Sequence, residues 1–491
     1  MKWGWLFGEV GARVAPTKLA FYNTLSKSKE PFNLPPYASH VRMYSCGPTV
    51  YDVSHIGNLR AFVFPDIVRR VLEYNAFSVK QVINITDFGH LSSDADAGDD
   101  KMTKGLKRDG LEPTLENMLE MGRKYAGIFK NDLRALNVDV EHISFPHASE
   151  YIPAQIALVK TLEEKGYAYR VKSGVYFDTR KFADYGKLGD INLEGQQSGA
   201  RVETEPEKRS PTDFVLWKAD AKMGWDSPWG KGFPGWHIEC SAMIHSILGK
   251  QIDIHTGGVD LVPIHHNNEI AQSETATGKK PFSRFWLHNA FLNLQGEKIA
   301  KSVGNIINLK ELQEKGFHPL AFRYLLLGAH YRTPSNFTWE ALEAAQNAFL
   351  KLRRFIDVEG EGKVAEEWQK KIREHFNDDL DTPGALATMW DMTKDSTLAR
   401  EDVKATILDA DKVFGLGLAA PDPRAKELAE KSFGALVAAS DLPEKIMKLV
   451  DERENARADK NWTKADELRT SIEKEGYTIK DGAGAPKVYR K

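Results

Sequence analysis

Two short runs in this chain carry side chains suited to binding phosphate groups. The first is Ser54-His55-Ile56-Gly57-Asn58, and the second is Glu297-Lys298-Ile299-Ala300-Lys301-Ser302-Val303-Gly304-Asn305. A histidine beside a glycine can meet a phosphate at a helix N-terminus, and two lysines can offset negative charge that builds on a phosphate. Each run alone is more readily a turn histidine or a pair of solvated lysines. Their order along the chain, with an apolar strand before each run and a long α/β stretch between them, is hard to obtain by accident and favours a related role for the two runs.

The two cysteines indicate a second kind of chemistry, metal binding. Cys46 and Cys240 lie too far apart for the disulfide framework of a small secreted scaffold. His265 and Glu269 are four residues apart and would share one face of a helix. Two thiolates, an imidazole and a carboxylate form a suitable zinc set. From the spacing alone, the stronger alternative is that both cysteines are small buried apolar residues and that the histidine is incidental.

Length and composition limit the class of protein. A chain of 491 residues is long enough for about three or four domains. Its 42% hydrophobic and 28% charged residues are typical of a globular protein with an ample core, and its net charge of -2 argues against a general electrostatic coat for nucleic acid. No apolar run has the length of a membrane span, and the apolar start is interrupted too early for a signal sequence. We therefore expect a cytoplasmic protein with no membrane partner.

The elements that must position these residues have the pattern of a doubly wound parallel sheet. Strand-like runs at 41–46 and 79–85 flank a helical pattern at 64–74, and the sheet resumes at 251–255 and 285–294. Residues from about 150 to 230 interrupt the pattern as an insertion, with a strand at 174–178. After Asn305 the pattern is helical, and one stripe is spaced for burial: Leu342, Ala345, Phe349, Leu352 and Ile356. Segments 358–362 and 418–424 have the composition of linkers.

Taken together, the motifs resemble those of cysteinyl-tRNA synthetase, a class I aminoacyl-tRNA synthetase family. The segments that carry the resemblance are 46–52 (Cys-Gly-Pro-Thr-Val-Tyr-Asp), 55–58, 84–87 (Asn-Ile-Thr-Asp), 235–243, 265–269 and 298–305. The resemblance extends from about Phe21 to the C-terminus. It implies an α/β fold, namely a class I Rossmann-type doubly wound parallel sheet with an inserted subdomain, followed by a C-terminal helical bundle and a small mixed α/β anticodon-binding region.

The resemblance also implies a division of the chain into domains. The expected ranges are an N-terminal extension (1–20), the first half of the catalytic nucleotide-binding domain (21–150), an inserted connective subdomain (151–232), the second catalytic half (233–310), a stem-contact helical region (311–357), a helical bundle (358–440) and an anticodon-binding region (441–491).

The activity implied by the resemblance is that of a cysteine–tRNA ligase. L-Cysteine would react with ATP, assisted by Mg²⁺, to give cysteinyl-adenylate, and the cysteinyl group would pass to the 3′ end of tRNA(Cys). One zinc ion per chain would be bound by Cys46, Cys240, His265 and Glu269, and the substrate thiolate would join it. Because pocket shape alone separates near-isosteres only about 10- to 200-fold, the metal would distinguish cysteine from serine without an editing domain. The family default is a monomer.

The resemblance further assigns roles to individual residues. His55, Asn58, Lys298 and Lys301 would be catalytic, and Thr49, Gly57, Asp260, Lys298, Lys301 and Ser302 would bind the nucleotide. Trp236 would pack against the amino acid, although a core tryptophan is the ordinary alternative, and Asp260 could instead cap the next segment. Arg457, Trp462, Asp466 and Asp481 match positions that read the anticodon. From the residues alone, Trp462, Ala465, Leu468 and Ile472 are more readily a buried helix face.

Some segments depart from the family pattern, and two other functions fit part of it. Asn58 replaces a common histidine, Ile299 and Ala300 replace Met-Ser in Lys-Met-Ser-Lys-Ser, and segments 88–98 and 484–490 also differ. We expect activity to be retained, with activation that could be slower. A ligase that joins activated cysteine to an amino-sugar amine would share the metal and ATP motifs but would not need the C-terminal region. A catalytically silent zinc protein that binds RNA is disfavoured by the retained histidine and lysines.

Overall fold

The computed structural model describes residues 18–36, 38–89, 101–189, 207–294, 297–298, 306–437, 439–482 and 484–490. The strands are β1 (Ala20–Asn23), β2 (Ser28–Pro31), β3 (Val41–Ser45), β4 (Val79–Ile83), β5 (Ile143–Ser144), β6 (Ala168–Val171), β7 (Gly174–Phe177), β8 (Phe214–Ala219), β9 (Gly232–Pro234), β10 (Ile252–Gly258), β11 (Ser283–Asn289), β12 (Leu292–Leu294), β13 (Glu297–Lys298), β14 (Ser335–Phe337), β15 (Ala435–Val437), β16 (Tyr477–Gly482) and β17 (Gly484–Arg490).

The helices of the described residues are α1 (Ile56–Tyr74), α2 (Lys101–Arg108), α3 (Leu115–Ala135), α4 (Ile152–Glu164), α5 (Trp236–Ile247), α6 (Asn267–Thr277), α7 (Leu309–Glu314), α8 (Pro319–Leu327), α9 (Trp339–Ile356), α10 (Glu366–Asn377), α11 (Thr382–Met392), α12 (Arg400–Phe414), α13 (Pro423–Phe433), α14 (Glu444–Ala458) and α15 (Trp462–Lys474). None of these helices combines the length and apolar character that a membrane span requires.

The chain divides into two compact units. The first unit comprises Met1–Glu311, Leu327–Phe337 and Lys371–Leu386, and the second comprises Leu312–Leu326, Thr338–Lys370 and Ala387–Lys491.

The first unit is built on a five-stranded parallel sheet with the order β11-β10-β3-β4-β5. Its central strands are almost continuously buried, as expected for a parallel sheet covered on both faces; β10 is buried from Ile252 to Gly257. From β3 the chain runs outward to β4 on one side, while β10 returns on the other side. This reversal of strand order leaves a crevice at the carboxyl ends of β3 and β10, where ligands of such sheets bind.

Three smaller sheets of the described residues belong to the same unit. Strands β1 and β2 form an antiparallel pair. Strands β6 to β9 form an antiparallel sheet in sequential order. Strands β6 to β8 lie within the segment expected to be an insertion, whereas β9 (Gly232–Pro234) crosses its expected end at residue 232. Strand β12 pairs with β13 in antiparallel fashion and with β14 in parallel. Buried Arg60 of α1 donates to the carbonyl oxygen of Phe291 at 2.7 Å, next to β12.

The second unit is mostly helical and ends in a small α/β region. Strand β17 lies between β15 and β16, antiparallel to both. Helices α14 and α15 pack on this sheet through Ile446, Val450, Ile472, Ile479 and Val488. The stripe predicted on α9 is buried at Leu342, Ala345, Phe349 and Leu352, while Ile356 is only partly buried.

Candidate metal centre and active site

Four side chains with metal-binding atoms meet at the carboxyl ends of the central strands. Cys46 directly follows β3, Cys240 lies in the second turn of α5, and His265 and Glu269 flank the start of α6. Their ligand atoms all lie within 4.8 Å of one another. His265 is in a short π-helical turn (Val262–His266), and its Nε2 is 3.0 Å from Oε1 of Glu269. The structure therefore brings together all four residues of the predicted zinc set.

The backbone at Gly47, next to Cys46, packs directly against the backbone of Asn84. The backbone nitrogen of Gly47 donates to Oδ1 of Asn84 at 2.7 Å. A Cβ atom at position 47 would lie 1.6 Å from the Asn84 carbonyl oxygen, so no other residue fits without moving the β4 end. Sγ of Cys240 lies 3.9 Å from Oδ1 of Asn84. Asn84 thus links the two cysteine-bearing segments.

The cluster carries strongly shifted protonation equilibria. Burial alone would raise the pKa of the Glu269 carboxyl, but His255 and His265 hold that pKa at about 2. Burial alone would lower the pKa of His265, but Glu269 and Cys240 raise it to about 10. Burial, with Cys240 and Glu269 nearby, raises the pKa of the Cys46 thiol well above its usual value. Such shifts in a crevice mark a candidate functional site.

Further histidines fix the orientation of the candidate ligands. Nδ1 of His237 lies 2.8 Å from Nδ1 of His265, which leaves Nε2 of His265 facing the cluster. Nε2 of His255 lies 3.0 Å from Oε2 of Glu269, which leaves Oε1 facing the cluster. Partners of this kind set the tautomer and direction of metal ligands. The ligand chemistry, the burial and these supporting hydrogen bonds all fit a zinc ion.

A second group of possible ligands overlaps the first. It consists of Cys46, His255, His266 and Glu269. Nε2 of His266 lies 3.3 Å from Sγ of Cys46, and Nδ1 of His266 lies 2.8 Å from Nε2 of His288. Burial and the neighbouring His255 lower the pKa of His288 to about 3, so it is neutral. The two groups share Cys46 and Glu269 and differ in the number of thiols.

Sequence reasoning assigned no role to His237, His255, His266 or His288. A signal was present for two of them, because His237 follows Trp236 and His266 follows His265 in the motifs themselves. The other two lie inside strands β10 and β11, where a histidine has the same pattern as any buried strand residue. Their partners are distant in sequence, so no spacing rule identifies them.

The first of the two runs expected to bind ATP forms a helix start. His55 is the N-cap of α1, and its Nδ1 accepts from the backbone nitrogen of Asn58 at 3.2 Å. The Asn58 side chain is exposed and accepts in return from the His55 backbone nitrogen at 3.4 Å. Gly57 lies in the first turn of the same helix. The N–H groups of Ile56 and Asn58 are already used, by the carbonyl oxygen of Ile307 at 2.8 Å and by Nδ1 of His55, so this helix end offers a phosphate chiefly the positive end of the helix dipole beside Gly57.

The other predicted nucleotide-binding residues are placed as follows. Thr49 is half-buried and forms a parallel bridge with Thr86, while Asp260 is exposed just after β10. Lys298 is the last residue of the short strand β13. Lys301 and Ser302 lie outside the described residues.

Trp236 lies beside the candidate metal ligands. It is partly exposed at the start of α5, and its ring centroid is 4.4 Å from that of His265. It is therefore not a fully buried core residue, and it forms part of the wall of the crevice.

The predicted anticodon residues lie on the α14–α15 hairpin and β16. The side chain of Trp462 is 59% exposed, whereas Ala465, Leu468 and Ile472 are buried. The interpretation of all four as one buried face is thus wrong for Trp462, because it stands at the first turn of α15, outside the contact with the sheet. Asp466 is exposed, and Asp481 forms ion pairs with Arg453 and Arg457.

Comparisons with known proteins agree with this architecture. Residues 34–347 match the family model of the class I (C) tRNA synthetase catalytic domain, and residues 439–488 match that of the cysteinyl-tRNA ligase anticodon binding domain. Among solved structures, a Mycobacterium tuberculosis methionyl-tRNA synthetase in complex with methionyl-adenylate matches with a TM-score of 0.55 and 15% identity, covering 80% of this chain and 93% of the other. The fold is that of a class I aminoacyl-tRNA synthetase.

Curated relatives define the family more narrowly. The chain is 45% identical over 470 residues to cysteine–tRNA ligase 1 of Burkholderia lata, covering 94% of this chain and 95% of the relative. It is 40% identical over 489 residues to cysteine–tRNA ligase of Thermus thermophilus, covering 96% of this chain and 98% of the relative. The chain belongs to the cysteine–tRNA ligase family, and it is an ATP-dependent aminoacyl-tRNA ligase.

Proposed function

We propose that this protein activates L-cysteine with ATP and transfers it to the 3′ end of tRNA(Cys), and that it selects cysteine through a zinc ion held by Cys46, Cys240, His265 and Glu269. The observation that carries the proposal is the convergence of these four ligand atoms within 4.8 Å at the carboxyl end of the parallel sheet. A bound zinc ion would supply a Lewis-acid position that prefers a thiolate to a serine hydroxyl.

The chain's own residues would orient the amino acid and the supporting ligands. His237 holds His265 through the 2.8 Å contact between their Nδ1 atoms, and His255 holds the Glu269 carboxylate. Trp236 would cover the substrate side chain on one side, since its ring faces His265 at 4.4 Å. This rigid surrounding is what allows discrimination by a single atom, because a ligand that cannot match the site leaves buried polar groups unpaired.

Activation would take place beside the N-terminus of α1. The cysteine carboxylate would attack the α-phosphate of ATP, with pyrophosphate leaving as a Mg²⁺ complex, and no protein nucleophile is needed. His55, Asn58 and the positive end of the α1 dipole would stabilise charge on the phosphates. By the family resemblance, Lys298, Lys301 and Ser302 would contact the phosphates from the second run, and Thr49, Gly57 and Asp260 would complete the nucleotide site.

The RNA partner follows from the C-terminal region. We infer that Arg457, Trp462, Asp466 and Asp481 contact the anticodon. The 59% exposure of Trp462 supports a stacking role, because bases of single-stranded loops stack on exposed aromatic rings. Arg457 and Asp481 already form an ion pair, which would preset their orientation.

The test is cysteine-dependent exchange between ATP and pyrophosphate by zinc-loaded protein, with serine as the control and charging of tRNA(Cys) as the second measurement. Exchange with cysteine but not serine, followed by charging, is the expected result. Exchange without charging would instead indicate transfer to another amine. Absence of exchange would refute the catalytic proposal.

A further inference from the structure

A cavity in the second unit is lined by more basic than acidic side chains, and most of these basic side chains have no role in the function proposed above. It has a volume of about 530 Å³, within the usual range of ligand sites of about 300–1,000 Å³. Six basic and two acidic side chains line it. The two acids already have partners, because Asp481 is bound by Arg453 and Arg457 and Asp395 accepts from Trp368 and Thr397.

Five of the six basic side chains have no acidic partner. They are Lys351, Arg354, Arg400, Lys480 and Lys487, and within the described part of the chain none of them forms an ion pair, whereas Lys394 pairs with Asp391. The whole chain has a net charge of -2, so acidic residues are not scarce. Five unpaired cations around one concave surface are therefore a local feature, and they repel one another unless an anion binds.

Two of these cations are directly opposed across a strand pair. Lys480 of β16 is the register partner of Lys487 of β17. Like charges directly opposite each other destabilise a sheet, so this pair costs stability in the free protein. Nη1 of Arg354 is buried and has no hydrogen-bond partner among the described residues, so it is a donor without an acceptor.

Aromatic rings hold the cations in place. The guanidinium carbon of Arg354 lies 3.9 Å from the ring centroid of Tyr489, and Nζ of Lys480 lies 5.5 Å from the same centroid. The guanidinium carbon of Arg400 lies 5.7 Å from the ring of Phe355. Burial, together with Arg354 and Lys351, lowers the pKa of Lys480 below its usual value. The rings are thus partners of the cations. Nη2 of Arg354 also donates to the carbonyl oxygen of Gly434 at 3.4 Å, but the rings themselves accept no charge, so the positive charges remain available to an anionic ligand.

We propose that this cavity binds phosphate groups of the tRNA anticodon arm, next to the residues expected to read the anticodon. Asp481 is common to the cavity lining and to the candidate anticodon residues, so one RNA segment can contact both. An RNA backbone carries one phosphate for every nucleotide, and contacts to phosphates position the RNA without reading its sequence. The inference rests on the proposed function, because it takes tRNA as the substrate.

The experiment uses the full-length protein and a triple variant, Lys351→Gln, Lys480→Gln and Lys487→Gln. We expect the Kd for a tRNA(Cys) transcript to rise on the order of tenfold at 0.1 M salt. The slope of log Kd against log salt should fall by about 2, because each lost contact to a single-stranded phosphate removes about 0.7. A triple Lys→Arg variant at the same positions should restore both quantities, since it keeps the charges.

The matched control is a triple Lys→Gln variant at Lys426, Lys431 and Lys445, which are exposed lysines of the same unit outside the cavity lining. An unchanged Kd and slope in the cavity variant, or an equal change in the control, would overturn the proposal. Inorganic pyrophosphate is tested as a competitor; if it occupies the cavity without weakening RNA binding, the cavity is a small-anion site and the RNA proposal is wrong.

Failure of the proposed function gives a different result. Cysteine-dependent ATP–pyrophosphate exchange involves no RNA, so the cavity variant should retain the wild-type exchange rate. Loss of exchange in the wild-type protein would refute the proposed activity, while the RNA-binding comparison would still decide whether the cavity binds phosphate groups of RNA.

Discussion

Replacing Cys240 with serine decides which of the two overlapping groups binds the metal. Both groups contain Cys46 and Glu269, but only the proposed one contains Cys240 and His265. The proposed site therefore offers two thiols, and the other site offers one. Serine keeps the shape of the side chain but is a far weaker zinc ligand. The reciprocal variant is His266→Gln, which removes a ligand of the second group only.

The size of the effect follows from the number of ligands. Apparent zinc affinities of structural sites correspond to about 10–16 kcal/mol at pH 7, so one ligand in four contributes about 2.5–4 kcal/mol. At about 1.4 kcal/mol per tenfold change, the Cys240→Ser protein should bind zinc more weakly by about two to three orders of magnitude. The His266→Gln protein loses a supporting contact to Cys46 rather than a ligand, so its affinity should fall only about 10- to 100-fold.

Two measurements at one fixed pH check this prediction. A competitive titration with a chromophoric chelator gives the zinc affinity of each variant. In the cobalt-substituted protein, absorption from thiolate-to-cobalt charge transfer should fall to about half in Cys240→Ser, because one of two thiolates is lost. The reasoning is refuted if Cys240→Ser keeps the wild-type affinity and absorption while His266→Gln loses its metal.

The remaining predictions concern single side chains of the first unit. Asp379→Ala should lower the free energy of unfolding by about 3 kcal/mol in urea titrations, because the buried carboxylate accepts from Arg332, Tyr331 and the Tyr22 backbone; Asp379→Asn should lose less. Burial raises the pKa of Asp132 to about 6, so ionising this carboxyl destabilises the folded protein; this destabilisation is absent below about pH 4 and complete above about pH 6. The Asp132→Asn substitution should therefore raise the free energy of unfolding by about 1–2 kcal/mol more at pH 8 than at pH 4. An equal change in the free energy of unfolding at both pH values would contradict this reasoning. Asn58→Ala should slow cysteine-dependent exchange about 10- to 100-fold, and loss of its capping hydrogen bond to the His55 backbone should lower the free energy of unfolding by about 1 kcal/mol; an unchanged exchange rate would exclude a phosphate contact.

Local patterns predicted four of the five strands of the parallel sheet. The two-residue strand β5 was not expected, and the stretch expected at 285–294 divides into β11 of this sheet and β12 of another sheet. The strands expected at 41–46 and 79–85 are β3 (Val41–Ser45) and β4 (Val79–Ile83), because short stretches that mix apolar and polar residues and end at turn residues are typical of strands. The helix expected at 64–74 begins earlier, at Ile56, since His55 and Asn58 form its capping box. The helix near Cys240 likewise begins at Trp236, where Gly235 is the N-cap.

Other features depend on contacts between distant parts of the chain. The pairing of His237 with His265 joins α5 to the π-helical turn, and no local periodicity encodes it. Strand β15 (Ala435–Val437) pairs with the last strand, β17, so its assignment needs knowledge of the C-terminus. The exposure of Trp462 depends on where the α14–α15 hairpin meets the sheet, which helical spacing alone does not fix.

The candidate metal centre could be predicted in part from local patterns and in part only from contacts between distant segments. Each of its four residues has a local marker, since Cys46 follows a strand, Cys240 is in the second turn of a helix, and His265 and Glu269 are one turn apart. Spacing alone could not join them, because the three segments are far apart in sequence. The parallel sheet supplies the missing step: β3 and β10 are neighbours, so the segments that follow their carboxyl ends must enter the same crevice. The strand order thus predicts the meeting point of two of the three motifs, the one after β3 and the one after β10. Cys240 joins them from the second turn of α5, the helix that precedes β10, so its place depends on how that helix packs on the sheet.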